Sequence, residues 1–369
     1  MSSTELLYRL ALLFLPGVGP VLGRRLISYV GSVEKIFALK HSALSQIPGV
    51  GEQLARKIVN SKAIERAQKE LRFIKNNDIN VVFYLDEDYP KTLRQIDTAP
   101  LMLFVKGKCD FSSFERIISV VGTRSPSAYG KTICSSLIKD LVIYEPVIVS
   151  GLAYGIDSEA HSVALDNGLR TVAVLGHGLD MIYPASNRQL AEKIISNNGC
   201  LITEYPSYSR VDKTMFVRRN RVIAALSLAT VIVESSIEGG AMITARYAAN
   251  YGRIVAAFPG RITDTSFTGC NLLIKTKIAH LIENGEDLAQ LLNWQKEVKQ
   301  QKIPFSEISL TNEEKEVVDI LRQFTKIHID QLAIKLNKTV SAVLVIMFNL
   351  EMNGIIEQLP GNFYALKKV

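Results

Sequence analysis

The sequence has little cysteine, tryptophan or histidine: among 369 residues there are 4 Cys, 1 Trp and 5 His. Cys109, Cys134, Cys200 and Cys270 are widely spaced and form no CxxC pair. That excludes a zinc ribbon or a disulfide-framed secreted fold and predicts reduced thiols in a cytosolic chain. No apolar run reaches the ~20 residues a bilayer-spanning helix needs. The Leu-rich start lacks a basic n-region, carries Glu5 and Arg9, and is broken by Pro16-Gly17, so it does not read as a signal peptide. A cytoplasmic protein with no membrane partner is expected. Two nucleotide signatures are also missing. There is no G-x-x-x-x-G-K-[ST] segment and no G-x-G-x-x-G with a suitably placed acidic residue, which excludes a P-loop ATPase and a dinucleotide site. Asp157 and His161 share a helix face, but no third ligand stands at metal-binding spacing. The pair reads as a helix cap and a turn brace, and neither metal nor cofactor is expected.

What is present is charge and apolar mass. Hydrophobic residues make up 47% of the chain, enough for real cores, and its length implies two or three domains. The net charge of +7 and a pI near 9.1 fit a polyanionic partner.

Residues 1–75 look helical and contain a repeat: Leu15-Pro-Gly-Val-Gly19 recurs as Ile47-Pro-Gly-Val-Gly51, each before an amphipathic segment. This is the helix-hairpin-helix pattern. Its N–H groups can meet a phosphate or serve only packing, with Arg24, Arg25, Arg56 and Lys57 following the two hairpins.

Residues 80–295 alternate apolar runs with helical stretches, which is the sign of a parallel α/β sheet. Core strands are expected at Ile117–Val121, Val147–Val149, Thr171–Leu175, Leu201–Glu204, Thr230–Glu234 and Ile254–Phe258. Glycine or polar turns follow nearly all of them, including Gly122-Thr-Arg124, Gly151 to Gly155, Gly176-His-Gly178 and Gly239-Gly240. In open α/β sheets such turns surround the ligand crevice. His177 could polarise a substrate there, although no nucleophile accompanies it. Tyr183, Asn187 and Arg188 place an aromatic ring, an amide and a guanidinium near the same edge. Single strands need such a set, since bases stack while phosphates are neutralised.

The segment Phe216-Val-Arg-Arg-Asn-Arg221 concentrates three guanidiniums in an apolar stretch. Arg218, Arg219 and Arg221 cannot all be buried unpaired. They either face a phosphate-bearing ligand or pair with carboxylates such as Glu204 and Glu234.

Residues 296–306 read as a polar linker. Beyond it, 307–369 suggest three helices, Glu313–Gln323, Ile329–Leu336 and Val340–Met352, then a wing with Pro360-Gly361-Asn362 at its tip. That is a winged helix-turn-helix. Its recognition helix carries almost no positive charge, which favours a protein-interaction role over duplex reading.

These segments together resemble the DNA-processing protein A family (DprA, also called Smf). The resemblance rests on Val121-Gly-Thr-Arg124, Ser150-Gly-Leu-Ala-Tyr-Gly-Ile-Asp157, Ala173-Val-Leu-Gly-His-Gly-Leu-Asp180, Tyr183-Pro184, Ile202-Thr-Glu-Tyr-Pro206, Arg219-Asn-Arg221 and Phe258-Pro-Gly260, and it spans the chain. It implies an extended Rossmann-like, mostly parallel core between a helix-hairpin-helix domain and a winged helix. It also implies a non-enzymatic mediator that binds single-stranded DNA, a homodimer joined through the Rossmann-like domain, and transfer of the strand to the RecA recombinase during natural transformation. Carried onto this chain, Arg124, Arg188, Arg218, Arg219 and Arg221 would grip phosphates, with Asn220 and the glycine turns shaping the pocket. The chain departs from the family at Val217, at Gly239-Gly240-Ala241 and at Lys277-Ile278, where Lys277 could add a phosphate contact.

Two other readings stand beside this one. The core also resembles phosphoribohydrolases that cleave nucleoside monophosphates, but Ser235 to Thr244 lacks their third glycine and trailing glutamate. A transcription regulator would follow from the winged helix alone.

Overall fold

Short runs of Val, Ile and Ala suit strands buried on both faces, and they build a nine-stranded sheet. Its strands are β1 (Asn80–Phe83), β2 (Met102–Gly107), β3 (Ile117–Val121), β4 (Val147–Ser150), β5 (Thr171–Val174), β6 (Cys200–Thr203), β7 (Ala229–Ile232), β8 (Ile254–Ala257) and β9 (His280–Leu281). The computed structural model describes residues 2–295, 310–324, 326–353 and 355–366; the expected linker 296–306 lies outside them. The strand order is β1-β2-β6-β5-β4-β3-β7-β8-β9. From β6 to β9 every pairing is parallel, while β2 runs antiparallel to β6 and to β1. The chain winds outward from β3 through β4 and β5 to β6, then crosses to the other side of β3 for β7. A topological switch point therefore lies between β3 and β7, where open sheets form ligand crevices.

All six expected strands are present. The three not expected lie toward the sheet's two ends, and β9 has only two residues, both exposed. Helices Ala128–Leu141 and Ile156–Asp166 pack together, as do Lys213–Leu226 and Gly240–Asn250.

The helical region fills its core with Leu10, Leu26, Ile36 and Ile47, and this core runs on into Val81, Phe83, Met102 and Phe104 of β1 and β2. Gly17 and Gly49, at φ 73° and 91°, turn the two hairpins in the left-handed region that glycine tolerates. Residues Met1–Lys296 thus form one compact unit, and Glu297–Val369 a second.

The second unit is a winged helix. Its helices Asn312–Leu321, Ile329–Leu336 and Val340–Met352 surround Val317, Leu332, Val343 and Met347. A three-stranded antiparallel sheet completes it, with β10 (Ile327–His328), β11 (Ile356–Leu359) and β12 (Phe363–Leu366) in the order β10-β12-β11. Thr311 and Glu314 form a reciprocal capping box at the first helix.

The expectation of four unpaired thiols is corrected. Pairing of β2 with β6 sets Gly107 opposite Cys200, which brings Cys109 within reach, and Cys109 and Cys200 form a disulfide with Cα atoms 5.7 Å apart. Cys134 and Cys270 are free and buried, and burial pushes the Cys270 thiol up to about 12.

Candidate nucleic-acid interface

The loops after β3, β4 and β7 meet at the switch point and are tied to one another by backbone contacts. The Thr123 N–H donates to the Glu234 carbonyl across the β3–β7 gap at 2.7 Å, and the Ile156 N–H donates to the Thr123 carbonyl at 3.1 Å. Gly155 sits at φ 79°, and a Cβ there would lie 2.3 Å from the Thr123 carbonyl oxygen, so only glycine lets the loops approach this closely. Gly122 and Gly178 are likewise crowded by Ile156 and by Asp180 and Pro206.

Beneath these loops lies Arg219, only 5% exposed. Its Nη1 donates to the Gly151 carbonyl at 2.5 Å and to the Val174 carbonyl, and its Nε donates to Asn220 Oδ1 at 3.2 Å. Asp157 supplies the opposing charge and accepts from the Gly151 and Ala153 N–H groups at 3.1 and 3.4 Å. Burial pulls the Arg219 pKa down and pushes that of Asp157 up, and each partner's charge opposes the other's shift.

Two histidines sit in the same layer. Thr171 gives its hydroxyl proton to the Ile148 carbonyl, so His161 Nδ1–H must donate to Thr171 Oγ1, at 2.6 Å. Desolvation, with Arg219 adding to it, lowers the His161 pKa to about 3. His177 Nε2 accepts from the Tyr183 N–H at 3.2 Å, which leaves Nδ1–H to donate to the Gly178 carbonyl. Its pKa is lowered by burial. Both rings are neutral; His177 is engaged at both nitrogens and His161 at Nδ1, its buried Nε2 having no partner among the described residues, so they position loops.

On this floor stand groups with no protein partner. Arg124 and Arg188, the latter at the start of Arg188–Ser196, are exposed and make no hydrogen bond or ion pair among the described residues. Tyr183 is 49% exposed, with its ring 5.5 Å from that of Phe216. Beside Arg124 runs a groove of about 460 Å³ that adds Lys131 and Tyr154.

A family described as DNA recombination-mediator protein A matches residues 80–293, from β1 to the last helix of the sheet domain. The chain belongs to that family. A SAM-like helix-hairpin-helix tandem matches residues 10–61 and a DprA winged helix domain matches 301–362. Protein Smf of Synechocystis sp. is 35% identical over 302 residues, 79% of this chain and 74% of the relative. The crystal structure of DprA from Streptococcus pneumoniae aligns with a TM-score of 0.66 at 30% identity, covering 78% of this chain and 98% of that one. A Helicobacter pylori DprA structure, described for its single-stranded DNA binding mode, aligns at 0.52 with 28% identity over 58% of this chain and 95% of its own.

In this DprA-family core the groove takes in Arg124 and Gly155, Gly122 and Gly151 lie in the adjoining loops, Gly178 and Tyr183 flank His177, and Arg188 follows Asn187 in the chain. Asn187 is there too, but as a clamp: its Nδ2 donates to the Leu152 carbonyl at 3.0 Å and to Ser158 Oγ at 3.2 Å. Asn220 is taken up by Arg219. Gly240 opens the helix after β7, and a Cβ there would meet nothing, so it shapes no pocket wall.

Four expected contacts are corrected. Arg219 supports the crevice from below and does not face a ligand. Arg218 and Arg221 line a separate cleft, because 3.6 residues per turn swings Arg221 to the far side of the helix from Arg219. Arg221 there pairs with Glu204, so the carboxylate alternative holds for that residue. Glu234 instead caps Ala128–Leu141 through the Ser127 N–H and hydroxyl. Lys277 falls at the opposite edge of the sheet: helix Thr268–Lys275 carries the chain back, and Lys277 precedes the parallel strand β9. Among the hairpin arginines, Arg24 donates to the Ala99 carbonyl at 3.1 Å and Arg25 to the Pro48 carbonyl at 3.0 Å, so both serve packing. Lys131 and Tyr154 were missed. The signal for Tyr154 was an aromatic inside a glycine turn, where packing has no use for it.

Proposed function

We infer that the chain binds single-stranded DNA in the crevice without sequence preference and without a chemical step, and passes it to the RecA recombinase during natural transformation. The observation that carries this reading is that Arg124 and Arg188 are exposed guanidiniums that make no hydrogen bond or ion pair among the described residues, and that the Tyr183 ring is exposed as well. Free guanidiniums hold phosphates, and an exposed ring accepts any base by stacking. The Helicobacter pylori relative, described as binding single-stranded DNA, supports the same assignment.

A non-enzymatic role agrees with the chemistry of the floor. Asp157 and His177 are committed to internal hydrogen bonds, and His161, whose Nε2 has no partner among the described residues, is fully buried, so none of the three reaches a bound nucleotide. Among the described residues no single helix is long and apolar enough to cross a membrane. Ile278 and Leu281 stand exposed at the β9 edge and suit a dimer joined through this domain.

Fluorescence anisotropy of labelled oligo-dT, with a matched duplex as control, tests the reading. Tight, salt-sensitive binding to the single strand that Arg124→Ala weakens is expected. Equal affinity for duplex and no response to Arg124→Ala would reject it, and release of free base from nucleoside monophosphates would favour the phosphoribohydrolase alternative.

A further inference from the structure

A second cleft lies apart from the crevice. About 750 Å³ in volume, it lies beside Lys213–Leu226, between the first helical hairpin, the loop 95–98 and the end of Gly240–Asn250. This is ample for a nucleotide. Its walls carry a particular set of groups. Tyr247 and Tyr251 are stacked, with ring centroids 5.9 Å apart and planes at 18°. The Tyr205 ring is fixed by its hydroxyl, which donates to the Met215 carbonyl at 3.3 Å. Arg218 is exposed at the rim, where its charge acts on Glu204 but it makes no hydrogen bond or ion pair among the described residues.

At the inner wall is an incompletely satisfied ion pair. Arg221 Nη2 and Glu204 Oε2 bond to each other, with the side chains 11% and 13% exposed. Arg221 Nη1 and Glu204 Oε1 are buried and have no hydrogen-bond partner at all. A buried N–H and a buried carboxylate oxygen left open are unfavourable, the more so for charged groups, and call for a ligand that supplies both an acceptor and a donor.

We propose that this cleft is a second nucleic-acid site that takes a single guanine base. The base lies against the tyrosine faces, its N–H edge on Glu204 and its carbonyl oxygen on Arg221, with the attached phosphate at Arg218. Guanine is selected because it alone among the common bases sets two adjacent N–H donors beside a carbonyl oxygen on one edge. A carboxylate accepts from two such donors and a guanidinium donates to the oxygen. The base can come from a free nucleotide or from an unstacked residue of a bound strand; the chemistry is the same. The inference does not depend on strand binding in the crevice, since none of these residues lines it.

Titration calorimetry of the full chain with GMP, AMP, CMP and UMP tests the site, and anisotropy with oligo-dT carrying or lacking one central dG identifies the source. GMP is expected to bind best. Glu204→Gln, which keeps the side chain's shape, and Tyr247→Leu should each weaken GMP at least about tenfold. Arg218→Ala, at an exposed position that does not endanger folding, should weaken GMP but not free guanosine. Arg124→Ala should leave GMP binding unchanged. If the strand supplies the base, the dG oligonucleotide binds tighter and loses that advantage in Glu204→Gln; if a free nucleotide does, the two oligonucleotides bind alike while GMP still binds. Absence of saturable GMP binding together with equal oligonucleotide affinities overturns the proposal. So does GMP binding that Arg124→Ala removes and Tyr247→Leu leaves intact. Failure of the crevice reading appears separately, as oligo-dT binding indifferent to Arg124→Ala.

Discussion

Arg219 Nη1 lies 2.5 Å from the Gly151 carbonyl oxygen, and a Cβ on Gly151 would fall within 2.4 Å of the same guanidinium. The arginine thus holds up the loop whose glycine admits it. Removing it in Arg219→Ala leaves Asp157 and two carbonyls unpaired inside the protein. The expected cost is about 3 kcal/mol in urea unfolding. Arg124→Ala removes an exposed side chain and should change stability by less than about 0.5 kcal/mol while weakening oligo-dT binding about tenfold. A stable Arg219→Ala with a binding defect alone would contradict this division between support and contact.

Gly130 reverses a common rule. Within a helix, Gly→Ala stabilises by about 1 kcal/mol. Here the new methyl would sit 1.8 Å from Glu234 Oε2, the oxygen that caps the helix through Ser127. Gly130→Ala should therefore destabilise, by about 2 kcal/mol. Glu234→Ala alone should cost about 2 kcal/mol by stranding the Ser127 N–H, and the double variant should cost clearly less than the sum, measured as a double-mutant cycle in urea.

Where the sequence was legible, the reason is continuous burial. Ile117–Val121 and Ala229–Ile232 are buried at every position and so read as near-continuous apolar runs, broken only by Ser119 and Thr230, which hydrogen-bond to each other. His280–Leu281 is too short and too exposed to leave such a trace. The crevice was legible through its glycine turns, because several loops approach too closely for a side chain. The direction of each arginine on Lys213–Leu226 was not. Composition shows that three charges need partners, but only the rotation of that helix against the sheet decides that Arg219 points under Gly151 and Arg221 toward Glu204. The Cys109–Cys200 contact was hidden for a similar reason, since it depends on the register of β2 against β6.

His161 makes stability depend on acid in a definite direction. Its pKa falls from 6.5 to about 3 on folding, so the unfolded chain binds a proton that the folded one refuses. Its contribution is therefore complete above pH 6.5 and is lost as pH falls toward 3, about 5 kcal/mol in all. His161→Asn retains a donor toward Thr171 and cannot titrate. The variant should be less stable than wild type at pH 7.5 through lost packing, yet the gap should close and then reverse as the pH is lowered. Parallel unfolding curves for the two proteins from pH 7.5 to pH 4 would rule out this titration.

Charge and stacking in the crevice can be told apart by salt. Each phosphate neutralised on a single strand contributes about −0.7 to the slope of log affinity against log salt. Arg124→Ala should make the slope shallower by about 0.7, and adding Arg188→Ala by about as much again. Tyr183→Leu should behave differently: loss of one stacking platform costs about 1–3 kcal/mol at every salt concentration and leaves the slope alone. Tyr183 lies beside Phe216, and its N–H is held by His177 Nε2. An unchanged slope in the double arginine variant would place the strand elsewhere on the molecule, whereas a slope that falls in steps while Tyr183→Leu shifts only the intercept would assign phosphates and bases to separate parts of the same crevice.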